Sequence, residues 1–201
     1  MFFNSTYFFL FFAVVTGAYF AIPHRLRWAL LLTASYIFYM SLKPGYVILV
    51  MILTLISYYT GLQMGKTQAQ SKRKWCLVVA ILTNVGFLFL FKYYDFFNSS
   101  LKTLFNHAHL SYEIPALHLI LPVGISFYTF KSLSYAIDVY QGDRPPEKHP
   151  GYFALYVAFF PQLLAGPIER ATRFLPQLAT NFDFDYRRVT LGLNDALLLS
   201  T

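Results

Sequence analysis

The sequence predicts an all-α, polytopic membrane protein, and three observations carry that prediction. Of its 201 residues, 57% are hydrophobic and 20% aromatic, while 12% are charged, about half the charged fraction of a soluble domain. Apolar runs of about bilayer length recur along the chain, separated by short polar stretches that hold the prolines, glycines and bases. The net charge of +7 is gathered at the ends of those runs, which is where bases set orientation and meet anionic headgroups. The lipid bilayer is therefore the expected partner, and nucleic acid is not.

Taken in order, the helices are expected at about 2–22, 28–42, 46–62, 75–91 and 117–140. Residues 2–22 lack the basic start and small-residue cleavage site of a signal peptide, so they read as a retained helix. Pro23 and the basic cluster His24, Arg25 and Arg27 close it, and Lys43-Pro44-Gly45 makes the turn after the second run. Lys66, Lys72, Arg73 and Lys74 fill the polar stretch after the third run. The fourth run ends near Phe91, and an interfacial helix over about 93–105 follows it. The stretch QGDRPPEKHPG, 141–151, is a loop. Residues 152–168 form a sixth apolar run that is re-entrant or kinked, because Pro161, Gly166 and Pro167 break it. Several runs of about 17 residues span roughly 26 Å, slightly less than a hydrocarbon core.

Base counting sets the orientation. The 63–74 stretch is the most basic and belongs in the cytoplasm, which puts the N-terminus outside. The same rule makes 141–151, Arg170, Arg173, Arg187 and Arg188 cytoplasmic. All of these hold together only if the sixth run enters and returns on one side. Non-helical backbone at membrane depth must be satisfied by protein or a water-filled cavity, so 159–170 is expected to line an interior space. A kinked crossing helix is the alternative.

Few ionisable residues suggest chemistry. None of the five histidines is central to an apolar run or has a carboxylate or serine at a telling spacing, so all five read as loop or interfacial residues. Asp183-x-Asp185 reads as solvated or helix-capping, and no Cys/His spacing suggests a metal, with Cys76 the single cysteine. Lys131 stands apart. It lies inside an apolar run, where an unpaired charge is expensive. Two readings stand: it serves the function, or it snorkels or faces the bundle interior. Pro122 and Gly124 break the same run upstream of it, and Ser126 opens a line of hydroxyls along it. Two successive segments thus combine breakers with polar groups, which points to a cavity or tunnel between them.

LPVGISFYTFKSLSYAIDVYQGD (121–143) and YVAFFPQLLAGPIERATRFLPQL (156–178) resemble membrane-bound O-acyltransferases, in the bacterial branch of alginate O-acetylation and D-alanyl-lipoteichoic acid transfer proteins. LLLTASYIFYMSLKPGY (30–46) and FLFLFKYYDFF (87–97) resemble that family's early helices. The resemblance runs from about residue 2 to about residue 180 and covers the N-terminal portion of the family. It implies a ring of tilted helices around a thin centre, where a histidine acts as general base. An acyl donor, an acyl-CoA or acyl carrier, arrives from the cytoplasm. The acyl group, by this resemblance acetyl, passes to a hydroxyl of an extracytoplasmic polysaccharide, with a periplasmic or surface protein completing transfer. The histidine belongs to a Trp-x-x-Trp-His type of segment, and here Trp28 and Trp75 precede no histidine. No catalytic residue, bound cofactor or metal is therefore assigned, and the membrane domain reads as incomplete.

What the resemblance transfers is scaffold. Pro122, Gly124 and Ser126 match the fifth-helix motif, and Pro161, Gln162, Gly166, Pro167 and Arg170 match the re-entrant motif. They are expected to shape the donor's path. Arg170 suits either a phosphate or a topology anchor. Two other functions stay open: a non-catalytic membrane scaffold, and a small transporter, against which there is no inverted repeat.

Overall fold

A computed structural model describes residues 6–42, 44–107, 115, 124–163 and 169–180, and every regular element among them is helical. Pro122, Gly166, Pro167, His109, His118, Asp183, Asp185, Arg187 and Arg188 lie outside the described residues.

The helices are α1 (Thr6–Ala21), α2 (His24–Leu42), α3 (Gly45–Lys66), α4 (Gln70–Leu88), α5 (Tyr94–His107), α6 (Ile125–Gln141), α7 (Pro150–Ala158), α8 (Phe160–Leu163) and α9 (Ala171–Ala179). Two continuous helices are long and apolar enough to cross a membrane: Gly45–Lys66 and the 38-residue stretch Gln70–His107. Thr6–Ala21 is a shorter apolar helix. The break expected near Phe91 is absent, because a π-helical turn, Phe89–Tyr93, carries α4 into α5 without interruption. That stretch is about 57 Å long at the α-helical rise, well beyond one hydrocarbon core.

The surface shows how this bundle meets its surroundings. Phe9, Leu10, Ile48, Leu55, Leu82 and Phe96 point outward, while Lys131, Asn84, Ser57 and Ser132 are buried. Apolar outside and polar inside is the distribution a bilayer favours. Asn84 Nδ2 donates to Ser57 Oγ at 3.0 Å and so joins α4 to α3.

Two cores hold the bundle. The larger is rich in tyrosine, with Tyr39, Tyr128, Tyr135, Tyr156 and Phe153 all fully buried where α3, α6 and α7 meet. The Tyr135 and Phe153 rings sit 4.5 Å apart. Gly61 permits that approach, since a Cβ there would lie 2.7 Å from Tyr135 Cε1. The smaller core joins Phe8 and Val15 of α1 to Ala34 and Phe38 of α2 and Phe160 of α8.

α6 starts and stops on left-handed glycines, Gly124 (φ 78) and Gly142 (φ 88), a conformation that costs other residues about 1–2 kcal/mol. Gly124 is its N-cap, so this helix begins well inside the run expected from 117. At its other end the N–H groups of Gly142 and Asp143 both donate to Asp138 O, at 3.1 and 2.9 Å. α7 starts on Pro150, whose missing N–H costs nothing at that position, and the His149 side chain accepts from Tyr152 N–H at 3.2 Å.

The basic connections gather at one end of the bundle. Pro146 packs on Gly65, and Trp28 on Gly151. Arg144 Nη1 donates to Ala171 O, and His24 Nε2 lies 3.1 Å from Thr180 O.

Candidate functional site: a polar relay at a broken helix

The course of residues 150–180 defines the site. The segment begins beside the first turn of α2, where the rings of Trp28 and His149 lie 4.7 Å apart. It runs inward as α7 for nine residues, about 13 Å. Helical hydrogen bonding stops at Phe159 (φ −58, ψ 108). There Phe160 N–H donates to Ser35 Oγ at 3.3 Å, and the Ser35 hydroxyl donates to Leu31 O at 2.7 Å. Ser35 lies eleven residues along α2 from His24, so the break sits about 16 Å along that helix from its start. The chain is back at the starting end by Ala171, under Arg144, and Thr180 reaches His24, which opens α2. Residues 150–180 therefore enter and leave at the same end of α2.

α9 lies across that opening. Its apolar side, Ala171, Phe174 and Leu175, is buried, and the Phe174 ring meets Tyr156 and Phe159 at 5.7 and 5.0 Å.

Lys131 is a buried cation, at 1% exposure. Its ammonium donates to Gln162 Oε1 at 2.7 Å and to Tyr156 O at 3.1 Å. The rings of Tyr156 and Phe174 lie 5.3 and 5.6 Å from Nζ, so two π-faces supply the rest of its shell. Gln162 Nε2 then donates to Glu169 Oε2 at 2.9 Å, and Gln177 Nε2 to Glu169 Oε1 at 3.1 Å. Tyr156 closes the circuit, with its hydroxyl 3.3 Å from Lys131 O and 3.4 Å from Glu169 O. A cation and a carboxylate are thus separated by one amide that accepts from the first and donates to the second. Both charges are met by hydrogen bonds without direct contact, and α6, α7, α8 and α9 are tied at the break.

The sequence-predicted residues divide around this relay. Lys131 and Gln162 come together in it. Pro161 sits beside it in α8 and lines an apolar cavity of about 230 Å³ with Phe12, Val15 and Phe160. Gly124 and Ser126 lie at the start of α6, where Lys92 Nζ is 3.5 Å from Ser126 Oγ. Arg170 is the exposed N-cap of α9, outside the relay. Asp138, on the same helix as Lys131, is also buried. Sequence reasoning missed Glu169. A signal was available: a buried lysine needs an acceptor, and Glu169 is the one carboxylate between His149 and Thr180.

The described residues hold no group of three or more His, Cys, Asp or Glu able to bind a metal. The arrangement defines a helical membrane protein with a charged, hydrogen-bonded interior.

Comparison with known proteins identifies the kind. The chain is 36% identical over 193 residues to the probable alginate O-acetylase AlgI of Azotobacter vinelandii, covering 95% of this chain and 37% of that protein. It is 38% identical over 172 residues to the protein of the same name in Pseudomonas putida, covering 85% and 35%. It is 30% identical over 189 residues to the peptidoglycan O-acetyltransferase of Helicobacter pylori, covering 81% and 35%. Over most of its length the chain is thus similar to bacterial alginate and peptidoglycan O-acetyltransferases. It spans about a third of the length of these curated relatives. No family model matches it, and no solved structure matches it significantly.

Proposed function

We propose that this chain forms part of the transmembrane path of an O-acyltransferase that moves an acetyl group from a cytoplasmic donor to hydroxyls of an envelope polysaccharide such as alginate. The observation that carries the reading is the identity of 36–38% to alginate O-acetylases over at least 85% of the chain. The donor is a thioester, an acyl-CoA or an acyl carrier, and the acceptor is an extracytoplasmic sugar hydroxyl. In that reaction the hydroxyl oxygen bonds to the acyl carbon, the carbon–sulfur bond breaks, and the hydroxyl proton leaves through a base to the departing thiolate. The base is not among the residues assigned here. The family pattern puts it in a Trp-x-x-Trp-His segment, and a separate periplasmic or surface protein completes delivery.

In this reading the basic end of the bundle faces the cytoplasm and the N-terminus lies outside. Residues 150–180 then form a re-entrant floor at mid-depth. Lys131, Gln162 and Glu169 hold that floor, while Gly124, Ser126, Pro161 and Arg170, with Pro122, Gly166 and Pro167, shape the approach to it. A floor near 16 Å leaves a short remaining distance for the acyl group to cross.

Disruption of the coding sequence for residues 1–201 in its host tests the reading. Base-labile acetate on secreted polysaccharide is expected to vanish while polymer yield is kept, and the intact gene restores it. Acetate lost from peptidoglycan instead would assign the acceptor of the Helicobacter relative. Unchanged acetylation of both polymers would refute the proposal.

A further inference from the structure

At the basic end of the bundle, a cavity of about 360 Å³ opens between the α3–α4 and α6–α7 connections. Gly65, Thr67, Gln68, Arg73, Gly142 and Arg144 line it. It shares no residue with the Lys131 relay.

Main-chain carbonyls hold both guanidinium groups in place. Arg73 Nη2 donates to Tyr140 O at 2.8 Å and to Val139 O at 3.2 Å, which caps the last turn of α6. Arg144 donates to Pro145 O at 3.3 Å and to Ala171 O. Their charge balance differs. Arg144 pairs with Glu147 at 3.5 Å. Arg73 has no carboxylate within ion-pair distance among the described residues, and its Nε is buried without a hydrogen-bond partner. Arg73 thus brings to the cavity wall a guanidinium with no paired carboxylate among the described residues.

The surroundings specify which acceptor. α4 starts at Gln70, next to the lining residues Gln68 and Arg73, with no side-chain cap hydrogen bond and no acidic residue in its first turn, so its N-terminal end adds positive potential nearby. Exposed Lys66, Lys72 and Lys74 flank it and raise the local anion concentration. A guanidinium, a hydroxyl, an amide and an uncapped helix start make a donor set suited to phosphate oxygens.

We propose that this cavity binds the phosphate of a phosphate-bearing molecule at the membrane surface, with Arg73 as its cation and Thr67 and Gln68 as supporting donors. The site stands whether or not the chain takes part in acyl transfer. Two sources share the chemistry, an anionic lipid headgroup and a soluble phosphate compound.

Two measurements on the detergent-purified protein separate them. Calorimetric titration with inorganic pyrophosphate reads the soluble arm. Native mass spectrometry after mixing with phosphatidylglycerol or phosphatidylcholine reads the lipid arm. Gln68→Glu puts a carboxylate in the cavity without touching the Arg73 contacts to α6, and Lys72→Gln removes a nearby charge that does not line it. Arg73→Gln and Gln68→Glu are each expected to weaken the bound species about tenfold or more, the loss of one charge-assisted hydrogen bond. Lys72→Gln is expected to change it by less than about twofold, as a screened surface charge does. If Arg73→Gln fails to fold, Gln68→Glu decides alone. Selective retention of phosphatidylglycerol, lost in the variants, supports the site and identifies a lipid headgroup, whereas variant-sensitive pyrophosphate binding supports a soluble ligand. Binding of neither probe, or binding indifferent to Gln68→Glu, overturns the proposal.

Discussion

Replacing Lys131 with methionine separates a relay from a passive lysine. The substitution keeps the length and apolar stem of the side chain and removes the ammonium. It leaves Tyr156 O and Gln162 Oε1 without the donor that now reaches them at 3.1 and 2.7 Å. Each orphaned buried acceptor costs about 1–3 kcal/mol. Methionine recovers part of that, because a buried ammonium no longer has to be desolvated. Glu169 stays behind, linked to Gln162 at 2.9 Å, with no lysine balancing it. Breaking a buried charge network from one side costs about 3–5 kcal/mol, so a net loss of about 3 kcal/mol is expected for Lys131→Met. For a chain of 201 residues that lowers the unfolding midpoint by roughly 6–12 °C. The assay is scanning fluorimetry of the detergent-solubilised protein, followed through Trp28 and Trp75. Gln162→Leu completes a double-mutant cycle. Direct neighbours couple by about 0.5–3 kcal/mol, so the double variant is expected to lose less than the two single losses added. A midpoint within about 2 °C of the parent for Lys131→Met, or strict additivity with Gln162→Leu, would refute the relay and leave a snorkelling lysine.

The other predictions concern packing and backbone. Gly124→Val forces a β-branched residue to φ 78 at the start of α6 and is expected to cost about 1–2 kcal/mol, read as a lower unfolding midpoint. Gly61→Leu drives a side chain into Tyr135, 2.7 Å from the would-be Cβ; a loss of at least about 2 kcal/mol is expected from overpacking. Gly86→Ala meets open space in mid-helix, so it is expected to raise stability by about 0.5–1 kcal/mol. Tyr58→Phe removes the 2.6 Å hydrogen bond to Lys148 O, and about 1 kcal/mol should go with it.

The helices were legible as apolar runs, but their ends were not. The second run reads from Trp28, whereas α2 starts at His24. The third reads to Leu62, and α3 continues to Lys66. The fourth reads from Trp75, and α4 starts at Gln70. Most of the added residues are polar, so the helix continues where the apolar signal fades; Leu26 and Met64 are the apolar exceptions. The same reading broke α4 from α5 at Lys92, a single charge that a π-helical turn absorbs. Gly124 was read as a breaker inside a run from 117, and in the structure it is the left-handed N-cap of α6, a φ that glycine takes cheaply. Within the site, Lys131 and Gln162 each drew attention, but their pairing did not. They are 31 residues apart on different helices, and nothing periodic in the chain reports such a contact. Glu169 sits beside Arg170, which suited either a phosphate or a topology anchor, and Glu169 itself was given no role. In the structure Glu169 is in the relay and Arg170 is exposed.

The central claim is that residues 150–180 dip to mid-depth and return to the face they left. Single cysteines at Lys148 and Thr180, both exposed, in a Cys76→Ala background test it directly with a membrane-impermeant maleimide. Both positions are expected to react in inside-out vesicles and to stay unlabelled in intact cells. Labelling of Lys148→Cys from one side and Thr180→Cys from the other would contradict the account.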